Sequence, residues 1–352
     1  MQETKESGSR LERSGKRRRN EVKKLINLTM FDLLKGVAML CVLFGHSVVY
    51  ENGSLGDFWY GKVLHSLLMP AFFMVSGYWL KKKPIKTGIK NSFDYLIKPY
   101  LLVIAIIIFI GFVHRALLGN IQEWVDVFLI PSVLVSTKSG SRLGPLWFVV
   151  ALFWAWCLFY LVVRIKEEKW QMAVAVLSAA LGGILMPLQL PFQIAQGLVA
   201  FFFVYCGYLL KKKKWLEAKL HPLWCVPMLL VWGATVWFGS MDLYSYDVKY
   251  GIVSVVGSLF GAFWLIKLFL YVNLLEWRVL DGIRWIGRYS MWFLCIHAVE
   301  NAVVPWKILF RFVTPGSAAG VLLLMCLRLL FIVVVCIVLR KIQEMRKGES
   351  IC

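Results

Sequence analysis

Acidic residues are scarce in this chain: 20 Asp and Glu stand against 40 Lys and Arg. Charge of any sign is thin, at 17% of residues, where soluble domains carry about 25%. Cysteines number eight, but no CxxC and no Cys/His metal spacing occurs among them. Most (Cys41, Cys157, Cys206, Cys295, Cys326, Cys336) lie in apolar runs and read as small core residues. Neither a disulfide framework nor a metal site is indicated. No stretch is polar and long enough for a second folded domain. No signal-peptide apolar region precedes the first long apolar run. A net charge of +20 would point to nucleic acid in a soluble protein. Its distribution argues for membrane topology instead, so nucleic acid is not expected as a partner.

What the chain has in quantity is apolar sequence: 59% hydrophobic residues and a mean hydropathy of +0.69. Windows able to cross about 30 Å of hydrocarbon fall near 31–50, 63–80, 99–117, 146–163, 170–186, 194–210, 222–239, 250–268, 285–304 and 317–339. The expected fold class is all-α, a polytopic integral membrane protein of about ten transmembrane helices. Of the 40 basic residues, 31 fall in alternate connections and the two termini. That asymmetry places both termini in the cytoplasm. The organisation expected is a basic, disordered arm over 1–28, a transmembrane domain over 29–340 and a short cytoplasmic tail over 341–352. The arm, with KRRR at 16–19, either touches anionic lipid or serves only as a positive stop signal. Tryptophans at span ends (Trp59, Trp79, Trp124, Trp170, Trp215) read as an aromatic belt.

Within the first window, Asp32, Lys35 and His46 are the ionisable groups. Spacings of three and eleven put all three on one helical face, with Lys35 and His46 about 16 Å apart along the axis. Ionisable groups inside a span usually face a polar cavity and mark function. The competing reading is an interfacial i,i+3 pair and a helix–helix hydrogen bond from His46. In the second window His65 and Ser76 are again eleven apart, and an antiparallel neighbour would bring His65 and His46 to the same half of the bilayer. Ser76–Gly77 reads more simply as close helix packing. The fourth window opens on Pro145, with Leu146–Trp147–Phe148 passing as lipid-facing aromatics. His297 and Glu300 are i,i+3 neighbours; the acid orients the imidazole for chemistry or merely for structure. Arg328, deep in the last window, needs a partner, and Glu300 is the candidate.

Four motifs in order, DLLKGVAMLCVLFGHS, MPAFFMVSGYW, PLWFVVALFW and GRYSMWFLCIHA, resemble those of the membrane-bound acyltransferase-3 family. They are most similar to its branch of fucose 4-O-acetylase-like sugar O-acetyltransferases. That family is characterised by a basic residue ten intervening positions before a first-span His, here Lys35 and His46. Lys stands where many members have Arg, offering a point charge rather than a bidentate fork. The resemblance implies an enzyme that moves an acyl group, usually acetyl, from cytoplasmic acyl-CoA to a hydroxyl of a cell-surface or lipid-linked glycan. Acetyl-CoA would be the co-substrate, with no metal. Lys35 would meet the CoA phosphates, and His46 would be catalytic, either as general base or as a transiently acylated nucleophile. Asp32, His65, Ser76, His297, Glu300 and Arg328 would bind substrate or support the site. The expected location is a bacterial cytoplasmic membrane, with self-association of the chain left open.

Two other readings compete. A transporter or flippase of a lipid-linked sugar would also use many spans with intramembrane charge and Gly/Pro breaks, although no inverted repeat is visible. An interaction or sensor subunit would keep the fold without the chemistry.

Overall fold

The computed structural model describes residues 28–52, 58–130, 144–218, 222–314 and 317–349. The arm up to residue 27, residues 131–143 of the largest loop and the last three residues of the tail lie outside them. Among the described residues every regular element is helical, save for a single antiparallel bridge between Asp242 and Asp247.

The chain opens with α1 (Leu28–Asn52) and α2 (Trp59–Trp79). Helix α3 (Ile85–Ser92) passes through a wider turn, Phe93–Ile97, into α4 (Lys98–Leu117). After the short α5 (Ile121–Trp124) come α6 (Trp147–Val162), α7 (Glu168–Leu185), α8 (Ile194–Lys212) and α9 (Pro222–Phe238). Helices α10 (Ile252–Val272), α11 (Arg278–Arg288), α12 (Ser290–Val303) and α13 (Ala318–Glu349) follow.

Seven segments among the described residues are long and apolar enough to cross a membrane: Leu28–Val49, Ile85–Leu117, Gly144–Val162, Glu168–Leu188, Pro191–Lys212, Ile252–Val272 and Ala318–Met345. The protein is an integral membrane protein. Three of the ten expected windows stand apart. Helix α2 is long but diluted by Lys62, His65, Ser66 and Ser76, and α9 is a shorter apolar helix. The window at 285–304 is not one helix. It breaks at Tyr289 (φ −101°, ψ 21°), because RVLDGIRWIGR before the break carries four charges and has only one apolar face. The 14-residue α12 after it is about 21 Å long, less than the hydrocarbon thickness.

Burial follows composition. Helix α8 is apolar all round and forms the centre, with Ala195, Val199, Phe201, Phe203, Val204 and Tyr205 inaccessible. It packs against α2, α6 and α7. Helix α7 instead buries one stripe, Gln171, Ala175, Ala179 and Gly182. It leaves Trp170, Leu177, Leu181 and Ile184 exposed, as a helix at the lipid boundary does.

Two crossings bring backbones into contact. A Cβ on Gly77 would lie 1.9 Å from the Val204 carbonyl oxygen, and one on Gly207 1.9 Å from that of Met74. These reciprocal contacts seat α2 on α8. In the same way Gly36 meets the Ile283 carbonyl at 2.0 Å and Gly287 that of Asp32 at 1.7 Å, seating α11 on α1. Small residues permit such close approach, and dispersion between the closely packed surfaces then holds the helices.

Candidate functional site

Helix α1 turns a stripe of Lys35, Met39, Val42, His46 and Val49 toward a single large cavity of about 1170 Å³. The steps of four, three, four and three are those of one helical face. At the Lys35 end the cavity is bounded by Tyr95, Ser290 and Met291. At the other end it is bounded by Lys62 and His65 of α2, His114 and Arg115 of α4, and the loop before α10. Phe72, Trp147, Phe148 and Tyr244 give it aromatic walls, with Phe72 and Phe148 rings 5.6 Å apart and Trp147 and Tyr244 rings 6.4 Å apart. The residues Leu146–Trp147–Phe148 therefore point inward. Leu146 is inaccessible and Trp147 is 6% exposed, which corrects the expectation that they face lipid.

At the Lys35 end, Lys35 Nζ lies 2.9 Å from Asp32 Oδ1, and Arg288 Nε lies 3.6 Å from Asp32 Oδ2. Asp32 is thus the shared counter-ion of two cations and holds Lys35 at the cavity wall. His46 sits eleven residues further along α1, about 16 Å away. Among the described residues neither of its nitrogens has a protein hydrogen-bond partner, so the imidazole is available to a ligand.

Behind His46 lies a buried polar network. The His46 and His297 rings stand edge to face, 5.0 Å apart. His297 Nδ1 is 2.6 Å from Glu300 Oε1. Arg328 approaches the same oxygen through Nε at 3.0 Å and Nη2 at 2.9 Å, and donates from Nη2 to Asn301 Oδ1 at 2.7 Å. Trp306 Nε1 donates to Glu300 Oε2. The His297, Glu300 and Arg328 side chains are at most 1% exposed. A carboxylate surrounded by donors can only accept, so His297 carries its proton on Nδ1, leaving Nε2 as an acceptor. That Nε2 is buried and has no protein partner among the described residues.

The structure thus brings His46, His297, Glu300 and Arg328 together and puts Lys35 and His65 on the same cavity. Asp32 supports it through Lys35. Ser76 stands elsewhere: it accepts a hydrogen bond from Trp156 Nε1 at 2.8 Å and does not line the cavity, while its neighbour Gly77 makes the α2–α8 crossing. Among the described residues no group of three His, Cys, Asp or Glu could hold a metal ion.

Sequence reasoning passed over Asp242, which belongs to the loop between α9 and α10. Its Oδ2 lies 3.2 Å from His65 Nδ1. Burial alone would raise its pKa, but His65 and the side-chain and backbone donors of Ser245 outweigh burial and hold it below the ordinary value. The Asp242–Asp247 bridge, with bonds of 2.7 and 2.9 Å, pins the loop, and Met241 and Leu243, each 2% exposed, anchor it. No period of two or 3.6 marks such a loop. The two aspartates five apart among tyrosines and serines were the available signal.

A cavity of this size inside an apolar helical bundle, walled by aromatics and touched by His46, is a candidate ligand site. Residues 29–341 match the family model described as an acyltransferase domain. The chain belongs to the acyltransferase-3 family, and the protein is a membrane acyltransferase. No curated protein and no solved structure matches the chain.

Proposed function

We propose that the protein moves an acyl group, acetyl in the simplest case, from acyl-CoA to a hydroxyl of a glycan or lipid-linked glycan, with His46 as general base. The observation that carries this reading is the single cavity touching Lys35 at one end, His46 along its wall and a polar, aromatic surface at the other. The CoA phosphates meet Lys35, whose Nζ gives a point charge fixed by Asp32. The pantetheine arm enters along α1 and brings the thioester to His46. The acceptor enters from the end bounded by Lys62, His65 and Arg115. Aromatic walls beside polar groups suit a sugar, which has both apolar ring faces and hydroxyls.

In the reaction, an imidazole nitrogen of His46 takes the hydroxyl proton as the oxygen attacks the thioester carbonyl. The tetrahedral centre collapses with cleavage of the C–S bond, and the imidazolium returns the proton to the leaving thiolate. A neutral imidazole suits this task near pH 7. His297, held by Glu300, stands edge to face with His46 at 5.0 Å and fixes the wall behind it.

The donor end belongs to the cytoplasm, where 31 of the 40 basic residues place both termini. The seven long spans, α2, α9 and the broken α11–α12 pair then make about ten crossings or part-crossings. The membrane is the bacterial cytoplasmic one. The test is purified protein incubated with radiolabelled acetyl-CoA and crude glycan lipid. Label should pass to the lipid fraction; its absence with folded protein overturns the reading.

A further inference from the structure

We infer that His65, held by Asp242, positions the acceptor by taking a hydrogen bond from one of its hydroxyls at Nε2. The inference rests on the acyl-transfer reading above and assigns the acceptor end of that site.

The argument starts from Asp242. Its Oδ1 accepts from the backbone N–H of Tyr244 at 3.0 Å and of Ser245 at 3.3 Å, and its Oδ2 accepts from Ser245 Oγ at 2.7 Å. The remaining contact is His65 Nδ1, 3.2 Å from Oδ2. An ionised carboxylate has no hydrogen to give, so Nδ1 carries the proton, and the tautomer this selects has Nε2 as its acceptor. Nε2 has no protein partner among the described residues. His65 is 26% exposed in the side chain and Asp242 17%, and both line the cavity. The ring is therefore fixed in tautomer and orientation while one acceptor atom remains unused. Lys62, one turn earlier on the same face of α2, lines the cavity as a donor beside it. A fixed acceptor next to a cationic donor fits a polyhydroxylated ligand, whose hydroxyls both give and take hydrogen bonds. Asp242 is a positioning residue here; the proton transfer stays with His46.

Two substitutions separate this role from simple loop anchoring. Asn at 65 places its amide nitrogen near Nδ1 and keeps the link to Asp242, but has nothing at Nε2. Gln at 65 places its terminal amide near Nε2 and gives up the link. The measurements are steady-state KM values for acetyl-CoA and for the best acceptor from a panel of octyl monosaccharide glycosides, in nanodiscs, with thermal stability as the check on folding. His65→Asn should raise the acceptor KM by about tenfold, the value of one hydrogen bond. His65→Gln should raise it less, and the acetyl-CoA KM should not move in either. Should both variants fail to fold, Asp242→Asn replaces them. With its one amide oxygen kept on the Tyr244 and Ser245 N–H groups, its NH2 faces Nδ1 and turns the ring's tautomer, so the acceptor KM should rise while that for acetyl-CoA stays. An unmoved acceptor KM in folded Asp242→Asn overturns the inference. So do wild-type behaviour in His65→Asn, an unmoved acceptor KM in both His65 variants, or a rise confined to acetyl-CoA. Absence of transfer by the unsubstituted protein overturns the wider reading and this one with it; transfer with an unmoved acceptor KM overturns this one alone.

Discussion

Arg328 is the largest fully buried side chain among the described residues, and removing its charge makes a demanding test of the network behind His46. In Arg328→Met the stem is replaced by a chain of comparable shape while Glu300 keeps its negative charge in an inaccessible site. Breaking one side of a buried ion pair costs about 3–5 kcal/mol, most of it from the charge left uncompensated. Two contacts from Arg328 reach Glu300 Oε1, at 2.9 and 3.0 Å, so the upper part of that range applies. Glu300→Gln leaves the converse problem, a buried guanidinium deprived of its carboxylate. The double variant Arg328→Met/Glu300→Gln removes both charges. It should recover a large part of the loss, since replacing a buried pair with neutral groups is often close to neutral. The assay is the temperature of half-loss of monodisperse protein in detergent for the four proteins, read as a double-mutant cycle. Losses in the two single variants that simply add in the double would refute the reasoning. So would a single Arg328→Met as stable as the unsubstituted protein.

His46→Gln keeps polarity and size but takes up no proton near neutral pH, so transfer should fall by about 10²–10⁴-fold with acyl-CoA binding retained by equilibrium dialysis; substantial activity would remove the base from the mechanism. Lys35→Ala should raise the KM for acetyl-CoA and Lys35→Arg should do so less, whereas an unchanged KM in both would leave Lys35 only a partner of Asp32. Gly207→Val forces a side chain onto the Met74 carbonyl, and overpacking of this kind costs about 1–3 kcal/mol or more, read as a fall in thermal stability. For Asp242 the folded-state pKa lies below the ordinary value, so its stabilisation is complete above the unfolded-state pKa of about 3.9. It is lost as pH falls through the folded-state value. The stability gap between the unsubstituted protein and Asp242→Ala should therefore hold from neutral pH to near that value and close only in stronger acid; a gap already closed at neutral pH would contradict the shift.

The part of the site carried on one helix was legible because helical period is a local property. Lys35 and His46, eleven apart, do share a face, and His297 and Glu300, three apart, do touch. Arg328 was legible for a different reason: a cation in an apolar run demands a partner, and few acids were available. The break at Tyr289 was hidden, because a hydropathy window averages the amphipathic RVLDGIRWIGR with the apolar turn after it. The early start of the third long helix at Ile85 was hidden likewise by the polar IKTGIKNS. Asp242 was beyond reach. It meets His65 across 177 positions of sequence, and that pairing is decided by how α2 and α10 pack, which no local pattern records.

The two backbone crossings leave a mark on the range of sequences open to this fold. Where side chain meets side chain, an enlargement on one helix can be answered by a reduction on the other. At Gly36, Gly77, Gly207 and Gly287 the opposing atom is a main-chain carbonyl oxygen or its carbon, which no substitution can shrink. Each of these positions has one admissible residue, and no second change elsewhere enlarges the choice. Redesign of this cavity for another ligand has freedom at its aromatic walls and almost none at the four points where the helices cross.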